Sequence, residues 1–171
     1  MKKLLLLILL GGIAGFIYLP YETTSRYATA IVNRDGKAVA EMTDMVSYRE
    51  SLKENLRPVV AEYLREKYPT QPQSEILRGV ILFEKQLDLS ITPSAFDKSP
   101  SMSRLAVTTD KYELISRGWR SPLVFVAVDN EAATKLVFEF QGIAGWKAVR
   151  LEASREAMRK ELQRQLKVSR L

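Results

Sequence analysis

The chain has no cysteine and no histidine among its 171 residues. The missing cysteine excludes disulfides, thiol nucleophiles and lipoprotein processing. Together the two absences exclude Cys/His zinc sites, imidazole general bases and every Ser-His-Asp arrangement. Any acid–base chemistry near neutral pH would fall to carboxylates, lysine, arginine, tyrosine or serine. Glycine-rich phosphate loops, Walker motifs and G-x-S-x-G elbows are missing as well. The expectation is a protein without enzymatic activity, with no cofactor and no metal. What is present is ordinary for a globular chain: 46% hydrophobic and 27% charged residues, in a length that suits one domain.

The net charge of +6 is confined to the two ends. Lys2 and Lys3 supply +2. Arg155, Arg159, Lys160, Arg164, Lys167 and Arg170, set against Glu156 and Glu161, supply +4. Residues 4–152 are neutral overall. A nucleic-acid binder spreads its basic residues over a folded face, so no nucleic-acid partner is expected here.

Lys2-Lys3 precedes Leu4 to Leu19, an uncharged and largely apolar run of sixteen residues. As a helix it would cover about 24 Å, slightly less than a ~30 Å hydrocarbon core. Tyr18 and Tyr21 suit an interfacial belt, and the lysines suit the cytoplasmic side. Residues 1–21 are therefore read as an uncleaved signal anchor in a bacterial inner membrane, a single-pass transmembrane helix. A cleaved signal peptide is the competing reading, with Gly12-Ile13-Ala14 as its small-x-small site. In both readings residues 22–171 face away from the cytoplasm, into a periplasmic or other extracytoplasmic space.

After Pro20, Thr23, Thr24 and Ser25 offer N-caps for a short helix that carries Tyr27 and Ile31 and ends near Asn33. Asp35-Gly36 reads as a turn, and Val39, Met42 and Val46 as a second short helix. Ser47-Tyr48-Arg49-Glu50 has the form of a capping box. It opens a helix with Tyr48, Leu52, Leu56, Val59 or Val60, and Tyr63 on one stripe, which Pro58 should kink or divide. Residues 68–73 read as a loop, Ser74 as the cap of a helix with Ile76, Val80, Phe83 and Leu87 inward, and Thr92-Pro93 as a further start. Residues 94–103 read as irregular.

From Leu105 the pattern changes to strands at 112–115, 123–128, 136–140 and 146–151, with residues 142–145 as a four-residue hairpin loop. In the third strand Leu136, Phe138 and Phe140 alternate with Val137, Glu139 and Gln141, as for one buried face. Ser154 then caps a helix with Met158, Leu162 and Leu166 in line. The fold class is α+β: an N-terminal membrane helix, then helices packed on one face of a curved antiparallel sheet, and a C-terminal helix. Three segments result: the anchor at 1–21, the α+β domain at 22–152, and a basic C-terminal helix at 153–171. The last reads as a solvated appendage docked by three residues, or as a surface for anionic lipid.

Three groups of residues are candidates for function. Asp35, Asp44, Glu50 and Glu139 could supply paired carboxylates, although turns, helix ends and a solvated strand face account for them. Trp119, Phe125, Phe138, Phe140 and Trp146 could line an apolar pocket, or pack as core. Arg49 and Arg150 are the candidate polar contacts of such a pocket.

A Leu-rich N-terminus running into Pro20-Tyr21 is followed by an Ala/Ile helix closing on Arg34-Asp35. Then come Asp44, Tyr48-Arg49-Glu50-Ser51-Leu52-Lys53, the Thr92-Pro93 step and a hairpin ending in Gly145-Trp146-Lys147. These features resemble an uncharacterised family of short bacterial envelope proteins, the domain of unknown function numbered two-nine-three-nine. The order of elements also resembles the cone-shaped NTF2-like or cystatin-like group, whose members include enzymes, binding modules and interaction domains. The Asp/His pairs of its enzymatic members have no counterpart here.

The function expected first is a non-enzymatic, membrane-anchored envelope protein displaying a protein-interaction domain outside the cytoplasm. Its partner would be another protein or a second copy of the chain, and an exposed apolar patch would mark the surface. The alternative is a binder of a small apolar ligand or lipid on the concave sheet face, marked by a dry cavity. An enzyme, the third, would need a buried carboxylate with a raised pKa beside a cleft.

Overall fold

A computed structural model describes residues 2–33, 35–94, 113–116, 123–129 and 134–168. Helix α1 runs unbroken over Lys2–Val32 with Pro20 inside it. The expected break and the caps at Thr23 to Ser25 do not occur. The Thr24 hydroxyl donates instead to the Pro20 carbonyl at 2.8 Å, and that of Thr29 to the Ser25 carbonyl at 2.8 Å, the usual recourse of hydroxyl residues inside a helix. Pro20 and Thr24 are buried, so tertiary packing carries the helix through a residue that would end it in isolation. Among the described residues no helix is long and apolar enough to cross a membrane.

Asp35 closes α1 and opens α2 (Gly36–Glu41): its N–H donates to the Ala30 carbonyl at 2.8 Å and its carboxylate accepts from the Ala38 N–H at 3.0 Å. Helix α3 (Met45–Lys67) begins earlier than the capping box implied. Asp44 is the cap, accepting from the N–H groups of Val46 and Ser47, and the Ser47 hydroxyl donates to it at 2.9 Å. A carboxylate at a helix N-terminus is favoured by the helix dipole as well as by its hydrogen bonds, so it displaces the hydroxyl as cap. Glu50 turns to Lys53 at 2.9 Å. Val46, expected on the second short helix, sits exposed in the first turn of α3.

Pro58 does not divide α3. Helix α4 (Gln73–Ser90) starts one residue before the expected cap, Ser74, with Pro72 at its own cap position; Ile76, Val80 and Leu87 are buried as their spacing implied. Residues 93 and 94 are helical, in keeping with the Thr92-Pro93 signal, and the expected irregular stretch lies almost wholly outside the described residues.

Strands β1 (Glu113–Ser116), β2 (Val124–Asp129), β3 (Thr134–Phe140) and β4 (Trp146–Ala153) form an antiparallel sheet in sequential order. Leu136 pairs with Leu151 and Phe140 with Trp146, and a β-bulge sets Val149 and Arg150 against Val137. Helix α5 (Arg155–Val168) follows, its first turn capped by the Ser154 hydroxyl, which accepts from the Ala157 N–H at 3.1 Å.

Among the described residues one core joins the five helices to one sheet face: Tyr27, Tyr48, Leu52, Val80, Leu136, Phe138 and Leu151 belong to it. Met158 and Leu162 belong to it too, so α5 is part of the core and not an appendage. Its Arg159 also pairs with Glu66 of α3 at 2.6 Å. Val126, Val137 and Val149 form a second buried cluster, so the middle of the sheet is buried on both faces, where one buried face was expected. The bond-forming edge of β4 is met by the α2–α3 link: Ala148 donates to the Met42 carbonyl at 2.8 Å and accepts from the Asp44 N–H at 2.9 Å. This pairing protects an edge that would otherwise be open to another strand.

Candidate functional site

The aromatic residues expected to line a pocket meet in part, as packing. Trp119 lies outside the described residues. The register sets Phe125 opposite Phe138, and its side chain is outside them also. Phe138, Phe140 and Trp146 share one side of the sheet with two rings of α1. Tyr27 meets Phe138 edge-on at 5.4 Å between centroids. Phe16 lies 5.7 Å from Phe140 and 5.8 Å from Trp146, which are 5.4 Å from each other. Offset and edge-on pairs of this kind add about 0.5–1.5 kcal/mol each beyond the area they bury. On this face α1 covers Phe138, Phe140 and Trp146.

The two candidate polar contacts do not join this cluster. Arg49 reaches α4, its Nη1 donating to the Asp88 carbonyl at 3.4 Å and its Nε 3.6 Å from the Asp88 carboxylate. Lys53 shares that carboxylate at 2.7 Å; the bond to Asp88, then that to Glu50, pushes the Lys53 ammonium above its ordinary pKa. The pair clamps α3 to α4. Arg150, opposite Val137 on the other sheet face, lies 3.7 Å from Glu152.

The four candidate carboxylates are dispersed. Asp35 and Asp44 cap helices, Glu50 binds Lys53, and Glu139 stands opposite Lys147 in the β3–β4 register. Asp44 is the most heavily bonded of them. Partial burial pushes its carboxyl up, but donation from Gln141, from the Ser47 N–H and hydroxyl and from the Val46 N–H outweighs this and holds it below its ordinary value. A general acid needs the opposite displacement. Gln141 belongs to the hairpin loop and reaches Asp44 at 2.9 Å, while Lys147 donates to the Glu41 carbonyl. The hairpin is thus tied to the α2–α3 corner on both sides of its turn.

That loop is a single 3₁₀ turn, Gly142–Ala144, closed by the Gln141 N–H on the Gly145 carbonyl at 2.8 Å. Gly142 and Gly145 take φ of +60° and +73°, values that ordinary side chains rarely adopt. Between them Ile143 is fully exposed.

A shallow open depression of about 480 Å³ lies where α3 passes the start of α5, lined by Arg57, Pro58, Ala61, Glu62, Arg65 and Arg155. Arg57 is engaged by Glu84 at 2.7 Å and Arg65 by Gln73 at 3.4 Å. None of the residues expected to form a pocket lines it. Arg57 and Arg65 lie two turns apart on one helix, but Arg155 joins them only through the tertiary packing of α5.

The family described as "Protein of unknown function (DUF2939)" matches residues 8–98, more than half of the chain, and the chain belongs to that family. No curated protein and no solved structure matches it. The matched segment takes in most of α1 and all of α2 to α4, and within it the residues that carried the resemblance are structural. Asp35 and Asp44 cap, Tyr48, Ser51 and Leu52 are buried, and Arg49 and Lys53 clamp Asp88.

Proposed function

We propose that this is a membrane-anchored envelope protein without enzymatic activity. Its anchor is the apolar run at the start of α1, with the N-terminus cytoplasmic, and its α+β domain outside the cytoplasm binds another protein. The observation that carries the reading is the division of α1. Toward its C-terminal half Thr24, Tyr27, Ala30 and Ile31 are buried in the domain, whereas Ile8, Leu9, Leu10, Ile13, Tyr18 and Leu19 are exposed to between 43 and 66%. Consecutive leucines and isoleucines exposed around a helix have no reason to stand in water. Leu4 to Leu7 extend the same run, which a bilayer would accommodate with slight thinning or snorkelling of the flanking lysines.

The interaction role draws on α4, whose outward residues Leu77, Ile81, Leu82 and Leu89 are all exposed. Absence of enzymatic activity draws on the dispersal of the carboxylates into caps and ion pairs. The test is flotation of the full-length protein with membranes, followed by native mass spectrometry in mild detergent. Retention at the full chain mass, with a co-purifying protein or a multiple of that mass, is the expected result. Recovery in the soluble fraction, shortened by fourteen or so residues as the Gly12-Ile13-Ala14 site would give, would replace the anchor with a signal peptide.

A further inference from the structure

We propose that the β3–β4 hairpin is a second membrane contact, whose loop dips Ile143 into the outer leaflet of the bilayer that holds α1. The inference rests on the anchoring reading and adds an orientation to it. Two contacts between α1 and the sheet fix the direction. Tyr27 meets Phe138, and Phe16 meets Phe140 and Trp146. Moving from Tyr27 to Phe16 is about 16 Å toward the N-terminus of α1. Over that distance the contact point on the sheet moves from Phe138 to the two residues that flank the loop. The loop end of the hairpin therefore points the same way as the apolar end of the helix.

Phe16 is itself within the apolar run, only three residues from its end at Leu19. With that run in the hydrocarbon, Phe140 and Trp146 stand roughly 4–5 Å inside its outer edge at Leu19, level with Phe16. The loop beyond them reaches the lipid. Its chemistry fits that place. From Phe140 to Trp146 the sequence is Phe-Gln-Gly-Ile-Ala-Gly-Trp, without a charge. Ile143 at the tip is fully exposed, an apolar side chain that none of the described residues covers. Tyr18 and Tyr21, both exposed on α1, supply the amphipathic rings usual at this depth. The bonds from Gln141 to Asp44 and from Lys147 to the Glu41 carbonyl hold the hairpin to the domain, so anchor and loop would grip the bilayer as one rigid pair.

The absence of cysteine makes the test direct. Full-length Ile143→Cys and Val32→Cys chains are each labelled with a polarity-sensitive fluorophore and reconstituted in vesicles of phosphatidylcholine and phosphatidylglycerol. Val32 is exposed on the same helix, sixteen residues beyond Phe16 and so about 24 Å further from the bilayer. The expected result is a blue-shifted emission at position 143, quenched by nitroxide-bearing lipid and shielded from iodide, with the reverse at position 32. If both chains float with the vesicles but position 143 behaves like position 32, the hairpin contact is overturned and the anchor stands. If neither chain floats, the anchor fails and the hairpin contact with it. Both positions are exposed and neither label enters the core, so misfolding does not confuse the readout.

Discussion

Asp44 joins three parts of the molecule through one carboxylate: the start of α3, the hydroxyl of Ser47 and the hairpin residue Gln141. Asp44→Ala removes a helix cap and a tertiary tether, and should destabilise the domain by about 1–2 kcal/mol in urea unfolding at neutral pH. The carboxyl sits below its ordinary value in the folded protein. Its contribution is therefore complete above the unfolded value near pH 4 and is lost as pH falls through the lower folded value. The gap between wild type and Asp44→Ala should accordingly shrink in acid, and a gap constant down to pH 2 would count against it. Tyr27 and Tyr48 report on the opposite end of the scale. Burial pushes the Tyr27 phenol up to about 12, with the Thr43 hydroxyl at 3.4 Å acting weakly the other way. Burial, then the neighbouring Tyr27, raises Tyr48 as well. The folded state holds these protons more tightly, so stability is full below pH 10 and falls as pH rises toward the folded values, by roughly 1.4 kcal/mol per unit for each ring. Tyrosinate absorbance should show two of the seven tyrosines ionising only together with loss of the near-ultraviolet dichroism. Both buried tyrosines were legible as helix-stripe residues. The choice of Asp44 over Ser47 as cap was not, because both residue types cap helices, and the bond from Gln141 that adds to the local ones comes from 97 residues away.

At the scale of elements, β4 shows how a bulge reconciles a sequence with a core. Trp146 and Ala148 face the helices, and so does Leu151, which strict alternation would send to the other side. Inserting Val149 opposite nothing of its own resets the parity, and Val149 fills the second cluster instead. The switch in spacing, two then three, is visible in the residues, but a bulge is only one way to satisfy it. The hairpin turn ahead of it depends on backbone conformation. Gly145 has φ +73° and ψ −153°, a region nearly closed to other residues, although a Cβ there would meet nothing within 4 Å. Gly145→Ala should therefore lower stability by about 1–3 kcal/mol through backbone strain alone, measured as a fall in melting temperature with an unchanged fold. Helix α5 makes the larger claim. Met158→Ala and Leu162→Ala should each cost about 2–5 kcal/mol, and removal of residues 154–171 should lower the melting temperature far more than loss of a solvated tail would. An unchanged melt would return α5 to the status of a basic appendage. Its three-residue apolar stripe told that something would be covered, but not that the partner was the main core.

At the scale of the whole molecule, the first residue of α1 to touch the domain core is what separates anchor from fold. Phe16 packs on Phe140 and Trp146, whereas Ile8 to Leu10 are exposed. A chain starting at Gly12 should keep the melting temperature of the full-length protein and lose flotation with vesicles. One starting at Glu22 should also lose the ring contacts of Phe16 and the buried Pro20, and melt lower. Equal melting of the two would show that residues 12–21 of α1 contribute nothing to the stability of the fold.

By itself the sequence determined where the apolar run lies, that helices precede strands, which residues of α3 and α4 face inward, and that imidazole and thiol chemistry are absent. Those properties are local: they follow from periodicity, capping and composition over a few turns. Only the tertiary structure decided that α1 continues through Pro20, that Gln141 reaches Asp44, that the sheet is buried on both faces and that Phe138 and Trp146 pack against α1. Each of these depends on a partner distant in the chain, brought close by burial of the shared core, and no local pattern specifies which distant surface arrives there.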